Sequence, residues 1–136
     1  MVDKRGQLFL NNYDRICQNR AQRWDVNAEI DPDDFVFQFV FDNPTFQPKG
    51  VAIGYYFDDG SSSARRLLSM LKEICGSAGE EKLRLSELAP GYGWVARHIN
   101  NVIPSSIATA CDIYQQATQF IQEKLETEGV LSAFLQ

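Results

Sequence analysis

Histidine is nearly absent from this chain: His98 is the single one, and the three cysteines, Cys17, Cys75 and Cys111, stand far apart with no C-x-x-C pair. That spacing supports no Cys/His zinc site, and the odd count supports no disulfide framework. All three thiols are expected to be reduced and mostly buried, behaving as small apolar side chains. A basic excess is missing as well. Thirteen Lys and Arg face 18 Asp and Glu, for a net charge of −5, so there is no cationic stripe to follow a phosphate backbone, and nucleic acid is not the expected partner. No apolar run approaches the roughly 18 residues of a membrane span, and the first residues lead into no signal-type apolar core. No membrane partner is expected, and a cytoplasmic location is the default.

What the chain does have is enough apolar material for a core. Its 136 residues are 44% hydrophobic and 12% aromatic, which fits a globular chain of one-domain length. Over residues 6–23 the apolar positions Leu8, Phe9, Tyr13, Ile16 and Cys17 recur at helical steps and predict an amphipathic helix. Asp31, Pro32, Asp33 and Asp34 have the chemistry of a helix start, yet the run from Phe35 to Phe41 is rich in β-formers. The expectation is a short buried helix. Residues 50–57 read as a brief helix ended by a turn at Asp58, Asp59 and Gly60. Ser61 or Ser62 would then cap a new helix over 63–75, with Leu67, Leu68, Met70, Leu71 and Ile74 as its apolar face and Gly76 as its stop.

The second half alternates: a strand over 83–88, a helix over 94–102, a strand over 107–112, a helix over 115–128 and a strand over 130–135. Such alternation predicts a parallel sheet of about three strands. Two regions are expected, a helical lead over 1–78 and an incomplete α/β cofactor-binding region over 79–136, joined by the polar link around Gly79 to Lys82.

Chemistry concentrates between Glu87 and Ile113. Glu87 ends the first strand, and Ala89, Pro90, Gly91, Tyr92 and Gly93 form a small-residue loop before a helix whose N-terminus favours an anionic group. Asp112 ends the next strand about 20 residues on, at the sheet edge where open α/β folds bind ligands and where a carboxylate can accept both hydroxyls of a ribose. A glycine loop alone says little. Strand, loop, helix and distal carboxylate together describe a nucleotide-cofactor site.

This stretch resembles the class I S-adenosylmethionine-dependent methyltransferases, whose first motif runs acidic-x-G-x-G-x-G and stands here as Glu87, Leu88, Ala89, Pro90, Gly91, Tyr92, Gly93. Ala89 replaces the first glycine, which the turn tolerates if its φ is negative. The resemblance implies a Rossmann-like sheet, with the loop under the methionine part of the cofactor and Glu87 near its amino group. It also implies Asp112 on the ribose, Ile113 beside the adenine and a small-molecule methyl acceptor. The upstream segments 31–41 and 55–60 are similar to the N-terminal lead of a bacterial methyltransferase group, so Tyr55 or Tyr56 is a candidate to close the pocket. The alternative for both tyrosines is packing on the sheet. Against that family the chain stops after its third strand. It therefore reads as an N-terminal cofactor-binding portion or a truncated relative, without the substrate and catalytic half, and self-association through an unpaired sheet edge is expected.

Two other readings stay open. Gly91, Gly93 and Ala96 also fit G-x-G-x-x-A, a dinucleotide site, although Glu87 is acidic where such strands are usually apolar and a long segment precedes the motif. A non-catalytic interaction module that kept half the fold is the third. His98 is expected on a helix surface beside Arg97, Trp94 in packing, and the pairs Arg65–Arg66 and Glu80–Glu81 on solvated faces.

Overall fold

The computed structural model describes residues 4–76, 83–104 and 106–131. Over these the chain is a mixed α/β structure with five helices and one three-stranded parallel sheet. Helix α1 spans Lys4–Gln22, α2 Phe35–Asp42 and α3 Lys49–Cys75, with a short 3-10 turn at Pro44–Phe46 between the last two. Then follow β1 Arg84–Leu88, α4 Ala96–Val102, β2 Ile107–Asp112, α5 Gln115–Lys124 and β3 Glu128–Leu131. The strands lie in chain order, Glu87 beside Ala110 and Cys111 beside Val130.

Helix α2 forms despite its β-rich composition because both ends are fixed. Asp34 Oδ1 accepts the Phe37 N–H at 3.0 Å, and Asn43, followed by Pro44, closes the far end. It is amphipathic and only half buried: Phe37 and Val40 enter the core, while Phe35 and Phe39 are 55% and 69% exposed. The helical core gathers Cys17, Ala21, Ile30, Phe37, Ile53, Tyr56 and Phe57.

The turn expected at Asp58 to Gly60 does not exist. Helix α3 runs unbroken through it, and Ser61, expected as a cap, is buried inside the helix and accepts a hydrogen bond from Arg65 Nη2 at 3.0 Å. The reason is tertiary. A Cβ at Gly60 would collide with the Trp94 carbonyl oxygen and lie 3.0 Å from His98 Cδ2, so this glycine serves the close approach of α3 to α4. Gly76 does stop the helix, at φ 74°, with its N–H donating to Lys72 O. Of the apolar face expected over 63–75, Leu67, Leu68 and Leu71 are half-buried, while Met70 is 57% and Ile74 77% exposed. Cys75, expected buried, is exposed as well; only Cys17 is buried and Cys111 lies between.

Ala110 packs with Ala117, Phe120 and Ile121 of α5 and also lines a cavity beside Ala96 and Ile99 of α4. Both helices therefore cover the same face of the sheet. The other face leaves Leu88, Ile107 and Val130 77%, 50% and 39% exposed. The polar link at Gly79 to Lys82, the boundary it was to mark and the tail of the third strand from 132 onward lie outside the described residues.

Candidate functional site

Three alternate positions of the loop adopt the left-handed conformation: Ala89 at φ 55°, Gly91 at 56° and Gly93 at 81°. These are the three small-residue positions of the acidic-x-G-x-G-x-G pattern. The condition placed on Ala89, a negative φ, is not met. Its Cβ bears the crowding a glycine would avoid, about 1–2 kcal/mol for an L-residue, and the turn forms regardless because Ala89 N–H continues the β1–β2 ladder to Cys111 O at 2.9 Å.

Asp112 and the loop are one unit. Asp112 is 4% exposed, and its Oδ2 accepts the Gly91 N–H at 3.0 Å while Oδ1 accepts the Tyr114 N–H at 3.0 Å. The carboxylate thus fixes the loop and the start of α5. Beside it Ile113 and Tyr114 are 46% and 58% exposed. Phe35 of α2 leans over the loop: its Cζ stands 3.6 Å from where a Gly91 Cβ would be. Gly93 admits Leu125, the residue that caps the end of α5, which a Cβ there would strike.

Tyr92 points the other way, into the core, edge-on to Phe120 at 5.7 Å between ring centres. Burial, with Asp31, Asp33, Asp34 and Asp112 around it, pushes its hydroxyl up to about 12.

Arg97, given no role from sequence, ties this unit to the helical lead. It is 6% exposed, and its guanidinium donates to Gly93 O, Tyr92 O, Asn27 O, Glu29 O and the Tyr56 hydroxyl oxygen at 3.0 to 3.4 Å. The Tyr56 O–H donates in turn to Asp34 Oδ2 at 2.7 Å, and Asp34 caps α2. Tyr56 is fully enclosed, and burial raises its hydroxyl well above the ordinary tyrosine range. It is a rung between loop and lead. Asp34, 1% exposed, is likewise raised by burial. Neither role was readable beforehand. Only the acidic start at Asp31 to Asp34 signalled a cap.

Glu87 lies apart from this group. It lines a cavity of about 220 Å³ between α3, α4 and the sheet, with Leu67, Leu85, Val95, Ala96 and Ile99. Burial alone lifts its carboxyl to about 7. His98, expected on the surface, is 2% exposed against Gly60, and its Nε2 has no hydrogen-bond partner among the described residues. Burial, then Arg97 and Arg65, lower it to about 4, so it is neutral at physiological pH. Trp94 packs in the helical core, as expected, its Nε1–H donating to Tyr56 O at 3.0 Å.

The chain matches no family model, no curated protein and no solved structure. The site must be read from its own geometry. Among the described residues no group of His, Cys, Asp or Glu could hold a metal ion, and no helix is long and apolar enough to cross a membrane. The structure brings Ala89, Pro90, Gly91, Gly93, Asp112 and Ile113 together; Glu87 faces the α4 cavity and Tyr56 the core.

Proposed function

We propose that the chain carries the cofactor-binding part of an S-adenosylmethionine-dependent methyltransferase acting on a small-molecule acceptor. One observation carries the reading: three alternate left-handed residues at the carboxyl end of β1, with the middle N–H held by the carboxylate that ends β2. A backbone bent this way brings its peptide groups to the carboxyl end of the strands, where ligands sit in open α/β sheets.

The residues fit the group. Each oxygen of Asp112 has accepted one backbone N–H and retains a second lone pair for a ribose hydroxyl, and exposed Ile113 offers an apolar edge to an adenine. When bound, S-adenosylmethionine supplies an activated methyl on a sulfonium cation. The chain's part is to bind and orient that cation. The Asp112 carboxylate at the loop suits it electrostatically. Glu87, acidic where the strand before a dinucleotide loop is usually apolar, sets the dinucleotide reading second.

Thermal unfolding with added ligand tests the assignment. A ligand that binds only the folded chain raises its melting temperature with concentration. A rise with S-adenosylmethionine and none with NAD supports the reading; the reverse replaces it.

A specific observation favours one further reading, a non-catalytic interaction module. Parallel sheets are normally covered on both faces, and here one face presents Leu88, Ile107 and Val130 to solvent. Sedimentation separates the two. A stable oligomer with no affinity for S-adenosylmethionine supports the module.

A further inference from the structure

Glu87 lies near the carboxyl end of β1 with nothing to pair with. Its half-buried carboxyl makes no hydrogen bond or ion pair among the described residues, and burial is the one cause that lifts it to about 7. It faces the cavity of about 220 Å³ between α3, α4 and the sheet.

The walls of that cavity are apolar. Leu67 comes from α3, Ala96 and Ile99 from α4, and Leu85, Ala108 and Ala110 from the sheet. Three hydroxyl residues along the lining offer a ligand little. Ser86 and Thr109 alternate with the cavity-facing residues of their strands, so their side chains leave from the opposite face. The Thr127 O–H already donates to Leu125 O at 3.2 Å. Glu87 is therefore the polar side chain available to a ligand, and among the described residues no second titratable or charged group lines the cavity from α3, α4 or β2.

Size narrows the ligand. A cavity of about 150 Å³ holds benzene, so about 220 Å³ takes a small ring or branched chain with one further group attached. Leu67, Leu85 and Glu87 keep part of their surface in solvent, which leaves a way in. Neither Gly91, Gly93 nor Asp112 lines this space, so it is separate from the loop.

We propose that the cavity is a second small-molecule site, for a compact apolar amine whose ammonium pairs with the Glu87 carboxylate while its body fills the space between α3, α4 and the sheet. The proposal does not rest on the methyltransferase reading. An unpaired carboxylate in apolar surroundings is costly, and a cationic ligand relieves that cost. A neutral alcohol of the same shape gains the walls and a weaker hydrogen bond. An anion meets no donor side chain. Because the pair needs the ionised carboxyl, the amine must displace the proton that Glu87 holds below about pH 7.

The test is NMR titration of the ¹⁵N-labelled full chain, and of Glu87→Gln, with benzylamine and with its neutral isostere benzyl alcohol, at about pH 6 and about pH 8. Benzylamine is expected to move the Ala96, Ile99 and Ala110 signals to saturation. Its affinity should be about 10-fold higher at the upper pH, the ratio for a carboxyl that titrates at about 7. Benzyl alcohol should bind at least about 10-fold more weakly at the upper pH and change less than about 2-fold between the two. Glu87→Gln should weaken benzylamine at least about 10-fold, remove its pH dependence and leave benzyl alcohol within about 2-fold. Glutamine keeps the volume and removes the unpaired charge, so the variant should melt at or above the wild type at the upper pH, which shows that folded chains are being compared. Equal affinity for the two probes, a flat pH profile for benzylamine, or unchanged benzylamine binding in Glu87→Gln each overturn the proposal. So does movement confined to other residues, or no saturable binding to the wild type. Neither probe carries a nucleoside, so none of these results decides the loop assignment.

Discussion

The Gly91 N–H and the Asp112 carboxylate meet at 3.0 Å across the ends of two strands, so the residue proposed to hold a ribose is also the one that holds the loop. Asp112→Ala should therefore act on stability before it acts on binding. It removes acceptors from the Gly91 and Tyr114 N–H groups, a loss of about 2–3 kcal/mol for hydrogen bonds to a buried charge. Urea unfolding measures it. A variant as stable as the wild type would mean that the carboxylate is dispensable to the loop.

Ala89→Gly should stabilise the chain. The native φ of 55° burdens an alanine, and its relief exceeds the extra freedom glycine gains in the unfolded state, for a net of about 0.5–1 kcal/mol. A higher urea midpoint is the expected result. A lower one would show that the Cβ of Ala89 makes contacts worth more than its strain.

Glycines within α3 should respond in opposite directions. Gly60→Ala drives a Cβ into the Trp94 carbonyl, and an overpacking penalty of about 1–3 kcal/mol outweighs a helix-propensity gain of at most about 1 kcal/mol. At Gly50 the nearest atom, Ile16 Cδ1, is 4.0 Å away, so Gly50→Ala should raise the melting temperature. Equal effects at the two sites would contradict the packing assigned to Gly60.

These glycines also mark what could be read from sequence. The strand at 107–112 was legible to the residue, because the strand–helix alternation of the second half places it between Pro104 and the acid at its end. The break at Gly60 was misread because Asp58, Asp59 and Gly60 have turn chemistry locally, while the reason for that glycine is α4, more than 30 positions away. His98 was misplaced for the same cause, since the notch that buries it belongs to α3. Within the site, the loop and Asp112 announced themselves by residue type and spacing. Arg97 could not, because its acceptors come from residues 27, 29, 56, 92 and 93, brought together only by folding.

Tyr56→Phe should destabilise by about 1.5–3 kcal/mol, the range for a hydrogen bond to a charged group. It takes the donor from Asp34 and an acceptor from Arg97. Chemical denaturation measures the loss. No loss would break the proposed link between the loop and α2.

Stability should depend on pH through opposing groups, His98 on one side and the two carboxyls raised by burial, Glu87 and Asp34, on the other. His98, lowered from 6.5 to about 4, is protonated more readily in the unfolded chain, so it withdraws stability as pH falls from about 6.5 to about 4. Glu87, raised from 4.5 to about 7, holds its proton better in the folded chain and withdraws stability as pH rises through that window. Glu87→Gln removes this effect, so relative to the wild type its stability should gain as pH rises from about 4.5 to about 7. Urea midpoints across this range check the sign, and the single histidine gives one NMR titration to follow alongside. A decline between pH 6 and 8 in Glu87→Gln would place the raised group elsewhere.

The most direct test of a cofactor site at this loop is residue-resolved NMR of the ¹⁵N-labelled chain during titration with S-adenosylhomocysteine, with NAD as the comparison. The expected result is saturable movement of the Gly91, Gly93, Ile113 and Tyr114 amide signals with S-adenosylhomocysteine and none with NAD. Movement confined to other residues, equal movement with NAD, or a folded chain whose loop signals do not respond would contradict the assignment.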